Sequence, residues 1–423
     1  MNGKAIVSDF WKGRNPVGQK RGEPFPILRK ALLFLPISKQ KKEKMPGGSV
    51  RIFVKILTKG GGGQYDASGR EEGPSKQTYP NDREESRMDR QVKRIGVLTS
   101  GGDAPGMNAA VRAVVRTAVG RGIDCVGIRR GWNGLINSDF IRMDASSVSH
   151  IIDKGGTMLY TARSEEFMGP AGRAKALGTC KLLGLDGIVA IGGDGTFRGA
   201  LALSRQAAES GESLSVVGIP ATIDNDIGCS HYTIGFDTAC NTAIECIDKL
   251  RDTMQSHERC SVVEVMGRHA GYLALYVGIA VGATAVLIPE REVDFEQDIV
   301  EKIRRARLNG STHYMVVVAE GAGSAVEIGK RIHQEVGIDP RVTVLGHIQR
   351  GGSPSARDRE TASRMGYAAV MALEQDKGNR IIATQDGRIV DLDMEEALAM
   401  TKTFEMDRYQ VLETLTNSKG PGL

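Results

Sequence analysis

Six short apolar runs in this chain each stop at a glycine-rich or charged cluster, and that repeated junction restricts the fold more than any other feature. Ile95-Gly-Val-Leu98 leads into Thr99-Ser-Gly-Gly-Asp103, and Gly187-Ile-Val-Ala-Ile191 into Gly192-Gly-Asp-Gly-Thr196. Val216-Val-Gly-Ile219 leads into Thr222-Ile-Asp-Asn-Asp226, and Val262-Val-Glu-Val-Met266 into Gly267-Arg268. Met315-Val-Val-Val-Ala319 stops at Glu320, and Val342-Thr-Val-Leu345 at the segment from His347 to Arg350. Runs this short and this β-branched predict strands buried on both faces. In an open α/β sheet, ligands lie beyond the carboxyl ends of the strands. The pattern therefore predicts one site, made of glycine loops, carboxylates and arginines, which is the equipment of phosphoryl transfer.

From Lys93 onward strands alternate with helical patterns, so parallel sheets with crossover helices are expected. Asn108 to Val119 reads as a largely buried helix. Thr238 to Arg251 reads as an amphipathic one, with Ala239, Ala243, Ile244, Ile247 and Leu250 on one face. The chain's 423 residues, 40% hydrophobic, suffice for two domains.

The net charge of +5 is uneven. Residues 1–87 hold 18 Lys+Arg against 9 Asp+Glu, whereas the other 336 hold 38 against 42. The basic character belongs to residues 1–88, expected to be a disordered amino-terminal extension, with Met88 a candidate start of the folded part. The folded part gives no support for nucleic-acid binding. Six cysteines without a C-x-x-C pair predict reduced, mostly buried thiols and a cytoplasmic setting. The longest apolar stretch, from Ala31 to Ile37, is too short to span a membrane.

Glycines at a strand-to-helix junction let backbone N–H groups approach an anion, and the helix dipole favours negative charge there. Ser100 to Asn108 and Gly192 to Thr196 are two such loops. The second carries Asp194, a hard oxygen ligand suited to Mg²⁺. Asp224 and Asp226 stand together after the third run. A base beside a sugar hydroxyl is worth about 10²–10⁴ in rate. Arg259, Arg268, Arg341 and Arg350 are candidate phosphate ligands, since a guanidinium fork fits a phosphate dianion.

Five of these motifs together resemble the signatures of bacterial-type ATP-dependent phosphofructokinases: Ser100–Asn108, Ile191–Gly195, Thr222–Asp226, Val263–Arg268 and Gly346–Pro354. The likeness runs in order over about 92–423. It implies an α/β protein of two Rossmann-like three-layer domains with mostly parallel sheets and an active-site cleft between them. The nucleotide domain would span 92–235 plus 349–399, and the sugar domain 236–348 plus 400–423. The implied activity is transfer of the γ-phosphoryl of ATP to the 1-hydroxyl of fructose 6-phosphate, with Mg²⁺, in a cytoplasmic homotetramer.

The resemblance also assigns roles. Asp224 matches the general base, Asp226 the second essential acid, and Arg268 and Thr222 the rest of the catalytic group. Gly102, Trp132, Arg163, Ser164, Gly193, Gly195 and Thr196 match nucleotide contacts, and Asp194 the metal carboxylate. Ile223, Met266, Gly267 and Glu320 match sugar contacts. Arg259, Arg341, His347 and Arg350 match the sugar-phosphate clamp, the first two reaching in from a neighbouring subunit. Arg112, Arg116 and Arg251 match effector ligands. Other effector positions hold Asp139, Thr284 and Thr312, so feeble allostery is expected. Gly195 and Ala221 favour ATP over pyrophosphate as donor. A pyrophosphate-dependent enzyme and a catalytically silent regulatory subunit are the alternatives.

Overall fold

The structure is a computed structural model that describes residues 40–44, 50–54 and 92–416, divided between two units, Met1–Glu85 and Ser86–Leu423. In the first unit β1 (Gln40–Lys44) pairs antiparallel with β2 (Val50–Val54), placing Lys42 opposite Ile52. The disordered extension was expected over 1–88, and this strand pair lies within that span. Val50, Ile52, Phe53 and Val54 all favour extended backbone. The rest of that expectation lies outside the described residues.

In the second unit the apolar runs build two sheets. The larger takes β3 (Arg94–Ser100), β4 (Asp124–Ile128), β5 (Phe140–Met143), β6 (Gly187–Gly192) and β7 (Ser215–Pro220). The smaller takes β8 (Cys260–Val265), β9 (Ala285–Leu287), β10 (Tyr314–Ala319) and β11 (Arg341–Val344). The chain then returns to the larger sheet with β12 (Arg380–Gln385) and β13 (Arg388–Asp393). The seven-stranded order is β13-β12-β7-β6-β3-β4-β5, and the four-stranded order is β11-β8-β10-β9. Every pair in the smaller sheet is parallel, while β5 and β13 run antiparallel at the edges of the larger one.

The order turns back on itself at β3/β6 in one sheet and around β8 in the other. Such reversals open crevices beyond the carboxyl ends of the strands. The glycine loops follow β3 and β6, and Met266 to Arg268 follow β8. Every strand-end motif thus lies beyond a carboxyl end: the acid loop follows β7, Glu320 follows β10, and His347 to Arg350 follow β11.

Four helices matter below: α1 (Met107–Gly120), α2 (Asp194–Glu209), α3 (Phe236–His257) and α4 (Ala356–Glu374). Helix α1 is largely buried, as its apolar sequence predicts, with Arg116 and Val119 exposed. It packs on α4 closely enough that a Cβ at Gly366 would lie 2.6 Å from the Ala113 Cβ. In α3, Ala239, Ala243 and Ile247 are buried, following the 3.6-residue period.

One predicted strand differs in character. Strand β11 was expected to be buried on both faces, but among the described residues it is an edge paired with β8 alone, and Val342 and Val344 are exposed. Five of the six cysteines are buried and all are free. Burial pushes the Cys125, Cys180 and Cys260 thiols up to about 12, which makes them inert at neutral pH. Among the described residues no helix is long and apolar enough to cross a membrane.

Candidate active site

The two glycine loops are tied together at their roots. Thr196 Oγ1 donates to the Ser100 carbonyl at 3.0 Å, and Gly192 passes so near that a Cβ would lie 2.3 Å from that same oxygen. Gly193 precedes α2, and a Cβ on either Gly193 or Gly195 would meet no neighbouring atom within 4 Å. Asp194 opens α2 without capping it. Its exposed carboxylate accepts from Arg198 Nε at 2.6 Å.

The first loop is also pinned to residues 154–161. Thr161 Oγ1 donates to the Gly101 carbonyl at 2.7 Å, and Thr99 Oγ1 to Tyr160 O at 2.8 Å. Asn108 donates to Lys154 O and Gly155 O and accepts from Met158 N. These hydroxyls and this amide were missed from the sequence, where nothing signals a partner some fifty positions away.

Arg350 crosses from the other motif group. Its Nη1 donates to the Asp103 carbonyl at 3.0 Å, and a Cβ at Gly102 would lie 2.5 Å from it. The same guanidinium acts on Asp224 by its charge. It therefore stands between the first glycine loop and the acid loop.

The acid loop is held by its own threonines. Thr222 Oγ1 accepts from Asp224 N at 3.2 Å, and Thr233 Oγ1 donates to Thr222 O at 2.7 Å. Asn225 adopts φ 52°, the left-handed region, as a short polar residue can. Asp224 is only 7% exposed and its Oδ1 has no hydrogen-bond partner. Burial, seconded by the charge of Asp226, pushes its carboxyl up to about 6, against the pull of Arg350. Asp226 lies nearer solvent, yet desolvation by the surrounding protein, with Asp194 adding to it, raises it as well.

Opposite charges come from the smaller sheet. Glu320 follows β10, and its Oε1 accepts from Arg268 N at 2.7 Å. Arg268 takes φ 58° directly after Gly267 at φ 139°, a sharp turn that only a glycine permits. Arg268 and Glu320 both act electrostatically on Asp224. Gln349, fully buried, accepts from Met266 N at 2.9 Å and so sets the strand end that carries Arg268.

The structure does not bring every expected residue to this place. Trp132 is 5% exposed and stacks on Phe167 at 4.6 Å and 6°, so it belongs to the core rather than presenting a ring face to a ligand. Ser164 caps a short helix, its Oγ accepting from Phe167 N at 3.3 Å, and the side chain of Ile223 is fully buried. Arg163 and His347 are exposed. Arg259 precedes β8 and Arg341 opens β11, opposite Ser261. Both stand at the amino ends of the strands, about 20 Å of strand length from Met266 at about 3.3 Å per residue. Of the effector candidates, Arg112 and Arg116 lie on α1, with Arg116 donating to Ala145 O, and Arg251 donates to Val281 O. Asp139 is already paired with Arg129 and Arg130.

Two mostly parallel sheets whose carboxyl ends set phosphate-cradling loops against buried acids and arginines define a phosphoryl-transfer protein of the α/β class. Comparison with known proteins narrows this. Residues 94–373 match the family model described as Phosphofructokinase. Over 325 residues the chain is 50% identical to the ATP-dependent 6-phosphofructokinase of Clostridium botulinum strain Hall, covering 77% of this chain and 100% of that one. It is 52% identical over 325 residues to the enzyme of the same name from Bacillus thuringiensis. Phosphofructokinase from Saccharomyces cerevisiae superimposes with a TM-score of 0.68 at 35% identity, over 77% of this chain and 47% of that one. A pyrophosphate-dependent phosphofructokinase from Marinobacter aquaeolei, 22% identical with a TM-score of 0.68, shares the fold. The chain belongs to the phosphofructokinase family.

Proposed function

We infer that this chain is an ATP-dependent 6-phosphofructokinase, which transfers the γ-phosphoryl of ATP to the 1-hydroxyl of fructose 6-phosphate and yields ADP and fructose 1,6-bisphosphate. The observation that carries the chemistry is the buried, unpartnered Asp224 Oδ1 at the crevice. Asp224 takes the proton of the 1-hydroxyl, that oxygen forms its bond to the γ-phosphorus, and ADP leaves with the electron pair of the broken P–O bond. A carboxyl held near 6 is ionised at neutral pH yet basic enough to accept the proton. Arg268 and Arg350 offset the negative charge that gathers on the transferring group, where positioning and electrostatics supply most of the rate.

The N–H groups of Gly102, Gly193 and Gly195 are suited to the nucleotide phosphates, and the open space at Gly195 leaves room for an α-phosphate. The donor is ATP, in line with the 50% identical relatives. The exposed Asp194 oxygen is a hard ligand, and one carboxylate suffices for an ion that keeps most of its waters. Bound there, Mg²⁺ would neutralise the phosphates. Glu320, Met266 and Gly267 serve the sugar, with His347 and Arg350 at its phosphate.

The assembly we propose is a homo-oligomer, a tetramer in the cytoplasm. The distance of Arg259 and Arg341 from their own crevice supports it, because both would serve a neighbour's site. So does the exposed apolar edge of β11. The division into a nucleotide domain (92–235 plus 349–399) and a sugar domain (236–348 plus 400–423) follows the two sheets. Effector binding at Arg112, Arg116 and Arg251 would be weak, since Asp139, Thr284 and Thr312 stand at the other effector positions of the family pattern.

A coupled assay of Asp224→Ser beside wild type, run with ATP and with pyrophosphate, tests the whole reading. Wild-type turnover with ATP alone and its collapse in the variant are expected. Equal turnover with pyrophosphate, or an unaffected variant, would overturn it.

A further inference from the structure

The segment after β13 packs directly on the acid loop. A Cβ at Gly228 would lie 2.1 Å from the Met400 carbonyl oxygen, so the two backbones touch. Lys402 Nζ donates to the Asn225 carbonyl at 2.7 Å and, more distantly, to the His231 carbonyl at 3.5 Å. The ammonium lies 4.9 Å from the centre of the Tyr272 ring, whose hydroxyl donates to Thr403 O at 3.4 Å. Asn225 is the left-handed link between Asp224 and Asp226. Fixing its carbonyl therefore bears on the directions of both acids.

We propose that Lys402 is a positioning residue for phosphoryl transfer: its ammonium fixes the Asn225 carbonyl, and with it the directions of the Asp224 and Asp226 carboxylates, while its charge favours the ionised form of Asp226. The inference rests on the kinase reading of this site. Here Glu405 is paired with Arg408, and the direct partners of Lys402 are main-chain oxygens of the acid loop.

The groups facing these charges can all be named. Glu405, Asp226 and Cys229 surround Lys402, with the Tyr272 ring against it. Asp194, Lys402 and Arg268 act on Asp226, and Asp226, Arg350, Glu320 and Arg268 on Asp224. Burial brings the Lys402 ammonium down to about 8, so its charge is lost within an ordinary assay range. An arginine in its place would stay charged throughout.

Full-length wild type, Lys402→Met and Lys402→Arg are compared in steady state with ATP and fructose 6-phosphate between about pH 6 and about pH 10. In Lys402→Met, kcat should fall about tenfold or more while both KM values stay within about threefold, the mark of misaimed rather than lost groups. Wild-type kcat should decline above a pH of about 8, where Lys402 discharges. Lys402→Arg should retain most of kcat and carry it through that range. If Lys402→Met does not fold, the arginine comparison decides alone. Superimposable alkaline limbs for wild type and Lys402→Arg, or a kcat in Lys402→Met within about twofold of an active wild type, would overturn the inference and leave the kinase reading standing. An inactive wild type would overturn both.

Discussion

Asp358 and Asp224 are both buried carboxylates, 0% and 7% exposed, and the protein surrounds them in opposite ways. Asp358 Oδ1 accepts from Tyr232 Oη at 2.5 Å and Gly235 N at 2.7 Å, and its Oδ2 accepts from the amide, at 2.9 Å, and the hydroxyl of Thr238. It binds the start of α3 to the start of α4, in both of which backbone N–H groups need acceptors. Burial raises its carboxyl while these hydrogen bonds pull it back. Asp224 has no partner for Oδ1 and receives a second negative charge as neighbour. One acid is spent on holding helices. The other is kept ready for a proton, at a cost in stability.

This contrast can be broken most sharply at Asp224. Asp224→Asn should lower kcat by about 10²–10⁴ in the coupled assay; a loss below about tenfold would mean that the orphan oxygen is not the base. Asp358→Asn turns an acceptor into a donor among four donors. It should cost about 3 kcal/mol in a urea titration while leaving turnover per folded molecule unchanged.

The pH dependence sharpens the comparison next. With its carboxyl near 6 in the folded protein, Asp224 should impose an acid limb on kcat/KM, roughly tenfold per pH unit below that value. A limb centred near 4 would show that burial does not govern the group. The smallest effect concerns stability. Folded Asp224 holds its proton more tightly than the unfolded chain does, so the protonated form is favoured in the fold. Stability is therefore lost as pH rises from about 4 to about 6, and the loss persists above that range. Asp224→Asn should then be about 1–2 kcal/mol more stable than wild type at neutral pH by thermal or urea unfolding, and no gain near pH 3 is expected.

Much of this was legible in residues that act locally. The β-branched runs under β3, β6, β7, β8 and β10 stand out because both faces are buried, and the acid loop is readable as three adjacent polar residues, Asp224, Asn225 and Asp226. Strands β5 and β13 were not, because Phe140–Met143 and Arg388–Asp393 are half-open edge strands with mixed polarity. The family resemblance set Trp132 among the nucleotide contacts, and in the structure its ring lies parallel to that of Phe167, a contact no local pattern announces. Gln349 and Lys402 left no trace, since their partners lie 83 and 177 positions away and are main-chain atoms, which carry no residue identity.

Strand β11 leaves one flank of the smaller sheet without a neighbouring strand among the described residues, with Val342 and Val344 open to water. Such a flank zips readily onto another. In the homo-oligomer proposed above, chains separated from their neighbours would accordingly clump before they melt, and turbidity would run ahead of any loss of ellipticity. The shelf life of a preparation would then depend on how quickly that seam closes again.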